Sequence, residues 1–461
     1  MSLARRRLAP LGLVLLVAAA SSVAPAPPPG YVAETLPNGL RVSIVPDSRM
    51  PIVATLVWYR VGSANEEPRT RGFAHLFEHL MFGGTPAHPR RAVWDHHERF
   101  GGDVNAYTSF DETVYVSEIP PPGNVGVLEL EADRMVHLSL GEENLANEKR
   151  IVTEELRVGT ENDPMSRLFT VALKRVLGEH PYALTPAGTE EDIAAATLDR
   201  AREFYGRHYR PRNAHVVVVG PVDAAETLER VRASFGPLPS DGETPPDVPE
   251  VYGWAYPDLV ELRDDLPPVE IAVMGFPLPA PAGPDREAIE VLREILSGGA
   301  VDPFEDELVR KRRRALAAGA ETELLRRGGL IAFWSACLPY RRRDTAFRHL
   351  EETRQVLGRF EWLGPDRLAS AKRKLVREDD RRVYSAEAVA SDIGRAAWWE
   401  GDEARAFDRG ERLEAVTLED VQDAYRRYVL GAKPVRIWVR PERVPLAVRL
   451  FGWLYPLLGG F

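Results

Sequence analysis

Two histidines stand four residues apart, with a glutamate directly before the second, in the stretch His75-Leu76-Phe77-Glu78-His79. On an α-helix, positions i and i+4 share a face, so both imidazoles can reach one ion. Zinc accepts imidazole and carboxylate ligands, and a catalytic zinc site leaves one position for water. Glu78 sits beside the ligands and can accept a proton from such a water, whose pKa a bound metal lowers toward about 7. These residue types therefore point to metal-assisted hydrolysis, with His75 and His79 binding one Zn2+ per chain and Glu78 as the base. The His-x-x-Glu-His order inverts the common zinc-protease helix.

A third protein ligand must come from elsewhere. The stretch Glu143 to Val158 reads as a helix, and within it Glu148 and Glu155 lie two turns apart on one face. Glu154 competes with Glu155, and spacing alone leaves the two open. A solvated acidic helix face would have the same composition.

The elements that must position these groups occur twice. Leu40 to Val45 and Val53 to Val61 read as strands, followed by a helix ending at Gly83-Gly84. Leu259 to Leu262 and Val269 to Phe276 repeat the strands, and a helix ending at Gly298-Gly299 follows. At an offset of 215, His75, Glu78 and His79 fall on Glu290, Arg293 and Glu294. The second helix needs no histidine to fold, which favours a functional reading of the first. Thr197 and Thr417 each read as the N-cap of a later helix, and apolar strands at His215 to Val219 and Val435 to Val439 follow.

This repeat predicts an α+β chain of two homologous domains, each a mainly antiparallel sheet packed with helices. The boundaries read as a zinc-binding domain at 31–238, a linker at 239–249 rich in Pro, Asp and Gly, and a metal-free domain at 250–443. Ahead of them, Arg5 to Arg7, the apolar run Leu11 to Ala20 and Ser22-Val23-Ala24 form a signal-peptide pattern over 1–24, and 25–30 is a Pro-rich linker. That pattern predicts export to the periplasm or the extracellular space. The apolar tail 444–461 reads either as packed on the body or as a membrane-surface or partner contact. A net charge of -10 argues against a nucleic-acid partner. The single cysteine, Cys337, sits in an apolar stretch and reads as a core thiol.

Taken together, these residues resemble the pitrilysin or insulinase family, in its mitochondrial-processing-peptidase-like branch. The resemblance covers nearly the whole chain after the signal. It runs through His75–His79, Met81-Phe82-Gly83-Gly84-Thr85, Asn105-Ala106-Tyr107-Thr108 with Thr113 and Tyr115, the acidic stretch Glu148–Glu155, His180-Pro181-Tyr182 and His215–Gly220. It implies Glu155 as the third ligand, Glu148 as its supporting carboxylate, and hydrolysis of peptides or unfolded polypeptides inside a chamber. It also implies that Asn105 and Ala106 lie beside a sheet edge that binds substrate as an added strand. The local alternative for Asn105 is a turn residue before the strand Thr113 to Ile119.

One departure carries weight. The family segment resembling Arg-Gly-Leu-Ala-Tyr reads Arg314-Ala315-Leu316-Ala317-Ala318 here, so the tyrosine is absent. The resemblance then implies a metal-free homologous subunit that supplies the missing pair in a heterodimer, with a homodimer as the other arrangement. Two rival functions remain: a catalytically idle zinc-containing scaffold, and a zinc hydrolase of non-peptide substrates.

Overall fold

The computed structural model describes residues 27–162, 164–240, 246–264, 269–298, 302–338, 343–446 and 448. The signal pattern and most of the apolar tail lie outside the described residues.

The strongest strand signals form the sheet centres. β6 (Ala214–Gly220) carries four consecutive valines and β3 (Val53–Tyr59) is apolar almost throughout; every residue of both is buried. Unbroken β-branched runs suit strands covered on both faces. Around them lie β1 (Val32–Thr35), β2 (Arg41–Pro46), β4 (Asp103–Thr108) and β5 (Thr113–Ile119). The six form one sheet in the order β1-β2-β6-β3-β5-β4. A second sheet holds β7 (Leu259–Asp264), β8 (Glu270–Leu278), β9 (Ala317–Leu325), β10 (Gly328–Cys337) and β11 (Val435–Pro441), ordered β7-β11-β8-β10-β9.

The two orders are the same once β1 is set aside. Each sheet has one parallel pair, β2 with β6 and β7 with β11, and its remaining ladders are antiparallel. The chain is thus two homologous α+β domains. Cys337 is buried in the second core, as its neighbours predict.

Three local expectations need correction. The helix after β3 spans Phe73–Leu80 and stops before Gly83-Gly84, and β3 ends at Tyr59, short of Val61. Thr417 caps its helix through the Asp420 N–H, but the Thr197 side chain makes no cap bond to the helix Leu198–His208. A threonine before an acidic turn permits the bond; its rotamer decides whether it forms.

The halves exchange helices. Ala386–Arg395, from the second half, lays Ala386, Ala390 and Ile393 against Leu56, Trp58, Val114, Val116, Val217 and Val219 of the first sheet. A Cβ on Gly394 would come within 2.2 Å of the Trp58 indole, so any larger residue there would force the ring or the helix to shift. In return, Pro164–Leu177 of the first half brings Leu168, Val176 and Leu177 onto Val260, Leu262, Val435 and Ile437 of the second sheet. Each sheet has one face covered by its own helices and the other by its partner's. Burying apolar area stabilises by about 25 cal/mol per Å², so neither half can shed the other without exposing a sheet face.

Candidate metal centre and substrate edge

The helix Phe73–Leu80 turns its apolar side inward. Phe73, Leu76, Phe77 and Leu80 are buried in the first core, and this fixes the rotation that leaves His75, Glu78 and His79 half-buried on the other side. Glu66 caps its start, accepting from the Gly72 and Ala74 N–H groups at 2.8 Å each. Gly72 takes φ +77°, which a side chain would resist.

The acidic helix Glu142–Asn162 packs across the histidine helix. Glu155 Oε2 lies 3.3 Å from His79 Nε2 and 3.7 Å from His75 Nε2. Ligand atoms of the three side chains all fall within 4.8 Å of one another, the only such His/Cys/Asp/Glu group among the described residues. With bonds of about 2.0–2.2 Å, two ligand atoms on a tetrahedral zinc sit roughly 3.3 Å apart, so the donor set fits. Burial and the neighbouring His79 push the His75 pKa down to about 4, leaving a neutral imidazole with a lone pair for a cation. Glu154 is exposed and belongs to no such group.

Supporting contacts surround the three. Glu148 is buried, with Oε2 3.9 Å from His79 Nδ1 behind the ring. Its other oxygen accepts from Asn147 at 2.9 Å and from the Arg90 guanidinium. Glu78 accepts a 2.7 Å hydrogen bond from Thr108 Oγ1. Neither Arg90 nor Thr108 was assigned a role from sequence. Thr108 lies inside the quoted Asn105–Thr108 stretch, but spacing carries no sign of a bond to Glu78. Nothing near Arg90 in the sequence marks it.

Thr108 ends β4, and β4 is an edge strand. Asn105 is therefore a strand residue facing Val116 of β5, and the turn reading is corrected. Ala106 donates its N–H to Asn105 Oδ1 at 2.9 Å, so that N–H points away from β5 to the open edge. By strand alternation, Val104 and Thr108 present their main-chain groups to the same edge. Ala106 and Thr108 face the histidine helix; Asn105 and Tyr107 face the opposite side, where Tyr107 packs near Trp58.

In the second half, Glu290 and Glu294 occupy the places of His75 and His79. Glu290 is held by Arg286 and Arg409 at 2.9 Å each, and Glu294 by Lys374 at 2.9 Å. Ion pairs stand where the first half gathers His75, His79 and Glu155. Ala318 is buried in the core and Arg314 is paired with Glu352.

Residues 41–188 match the family model described as Insulinase (Peptidase family M16), and residues 195–355 match the Peptidase M16 inactive domain. The zinc protease PqqE of Helicobacter pylori is 33% identical over 318 residues, 68% of this chain and 71% of that protein. This chain belongs to peptidase family M16. An uncharacterised zinc protease of Streptomyces coelicolor is 27% identical over 426 residues, 90% of this chain and 91% of its own. Among solved structures, a protease from Helicobacter pylori superposes with TM-score 0.78 at 27% identity, over 89% of this chain and 99% of that one. The periplasmic protease PqqL from Escherichia coli shares the fold with TM-score 0.70 at 20% identity, over 94% of this chain and 51% of that one. Among the described residues of this M16 chain, no helix is long and apolar enough to cross a membrane.

Proposed function

We propose that this M16 chain is an exported zinc-dependent endopeptidase, with His75, His79 and Glu155 as ligands and Glu78 as general base. The observation that carries the reading is the meeting of His75, His79 and Glu155 from two separate helices, beside a carboxylate already oriented by Thr108. A zinc ion there would polarise the scissile carbonyl and acidify a water. The chain's own residues do the rest. The β4 edge aligns an extended peptide through main-chain hydrogen bonds, with Ala106 N–H as one donor once Asn105 releases it. Glu78 takes the proton of the attacking water and delivers it to the leaving amine. Glu148, with Arg90 and Asn147, steadies His79 from behind.

Export rests on the N-terminal pattern of 1–24 and is consistent with PqqL from Escherichia coli being a periplasmic protease. A heterodimer rests on Ala318, a buried alanine where the family resemblance implies a tyrosine. The same alanine favours the idle-scaffold alternative, which an intact, hydrogen-bonded Glu78 opposes. Incubating an unfolded polypeptide with wild type and with Glu78→Gln decides between them. Cleavage by wild type, lost in a variant that retains its zinc, is the expected result. Equal absence of cleavage in both, with or without a metal-free homologue added, would leave the scaffold reading.

A further inference from the structure

On the side of β4 away from the histidine helix, a cavity of about 450 Å³ opens between the β4–β5 hairpin, β9 and the exchanged helix Ala386–Arg395. Four of its arginines are spent in ion pairs: Arg286 with Glu290 and Glu400, Arg382 with Asp392, Arg405 with Glu400, and Arg409 with Glu290. Arg293 is faced by Glu323 across the cavity. Arg395, at the end of the exchanged helix, is exposed and makes no ion pair among the described residues; the Trp399 ring lies under it, at 5.4 Å. Glu112, on the hairpin facing Arg395 across the cavity, is buried, accepts from Trp399 Nε1 at 3.2 Å, and is pushed up to about 7 by burial and by Asp111.

The other end of the same face is acidic. Asp103 pairs in register with Glu118 of β5, whose pKa is raised by burial first and then by Glu387 of the exchanged helix and by Asp103. Tyr107, Asn105 and Asp103 share this face by strand alternation, and four residues of strand span about 13 Å. Among the described residues, a cation without an ion pair therefore stands beside Tyr107 and an acidic group without one at Asp103.

We propose that this face selects the charge pattern of the bound peptide: a carboxylate on the residue opposite Tyr107, met by Arg395, and a cation on the residue opposite Asp103. The inference rests on the β4 pairing proposed above. Residues directly opposite in neighbouring strands project to the same face, so these two substrate side chains point away from the zinc and read the exchanged helix. The second half thereby sets specificity for a reaction carried out by the first.

The test uses the full chain carrying Glu78→Gln, so that binding is read without turnover. Two blocked, fluorescent peptides of identical composition are compared, one with Glu and Lys at i and i+4, the other with the order reversed. Equal composition cancels non-specific attraction, and each peptide is free to find its own register. One order is expected to bind roughly 10-fold tighter, as complementary charges at an interface govern selectivity. Adding Arg395→Glu should abolish that preference, and Arg395→Gln should reduce it with an unchanged thermal midpoint. A free peptide C-terminus is the other source of a carboxylate. An unblocked peptide without Glu that binds as tightly, and loses affinity with Arg395→Gln, assigns the site to chain ends. Equal binding of both orders, or a preference indifferent to Arg395, overturns the charge assignment and leaves the edge intact. Failure of every peptide to bind overturns both.

Discussion

Asp111, at the tip of the β4–β5 hairpin, accepts the Arg326 guanidinium from the tip of the β9–β10 hairpin at 3.3 Å, with both side chains buried. The two positions lie 215 apart, the same offset that aligns the histidine helix with its counterpart. Equivalent positions of a duplicated unit have thus diverged into acid and base, and they meet. Asp111 also accepts from Tyr182 Oη at 2.7 Å and from the Arg326 N–H at 3.2 Å. Trp398 of the second half donates to the Asp111 carbonyl at 3.0 Å.

Removing one member of a buried pair strands the other, at a cost of about 3–5 kcal/mol. Arg326→Ala is therefore expected to lower stability by about that much, and urea denaturation measures it. Because the halves also exchange helices, intrinsic fluorescence of the two halves should report one shared transition in wild type. Two separate transitions would contradict this coupling.

Glu112 predicts a pH dependence. Burial is the main cause of its rise to about 7, with Asp111 adding and Trp399, Ser109 and Arg395 opposing. A carboxyl whose folded pKa is raised holds its proton more tightly folded than unfolded. Stability then falls as pH climbs from about 4.5, the unfolded value, to about 7, by something on the order of 3 kcal/mol. Glu112→Gln should remove this slope. An unchanged dependence of the denaturation midpoint on pH in the variant would place the effect elsewhere.

Thr108→Val keeps the strand but removes the donor to Glu78. A hydrogen bond to a charged group contributes about 1.5–3 kcal/mol. Cleavage of a model peptide should slow by roughly 10- to 100-fold, with kcat affected more than KM and zinc content unchanged. Loss of zinc instead would mean that Thr108 acts on the metal site as a whole.

Much of this was legible in the chain itself. Repeated strand and helix patterns at a near-constant offset revealed the duplication, because periodicity is a local property of sequence. The shared face of His75 and His79 was legible for the same reason, since i and i+4 fix a helix face. Glu154 against Glu155 was not, because one residue of rotation along Glu142–Asn162 depends on how two helices pack. The helix exchange was equally hidden. Ala386–Arg395 and Pro164–Leu177 read as amphipathic helices wherever they pack, and nothing local says that each covers the other half's sheet. The role of Arg395 follows only from that exchange.

The proposed metal centre turns on Glu155 as its third ligand. Zinc content by mass spectrometry of the metal-loaded wild type, Glu155→Gln and Glu154→Gln tests it directly. One zinc per chain is predicted for wild type and for Glu154→Gln, because the second half's equivalent positions are locked in ion pairs with Arg409 and Lys374. Glu155→Gln should lose its zinc on dialysis. A Glu155→Gln chain that holds zinc as tightly as wild type, or a wild type that holds none, would contradict the metal centre described here.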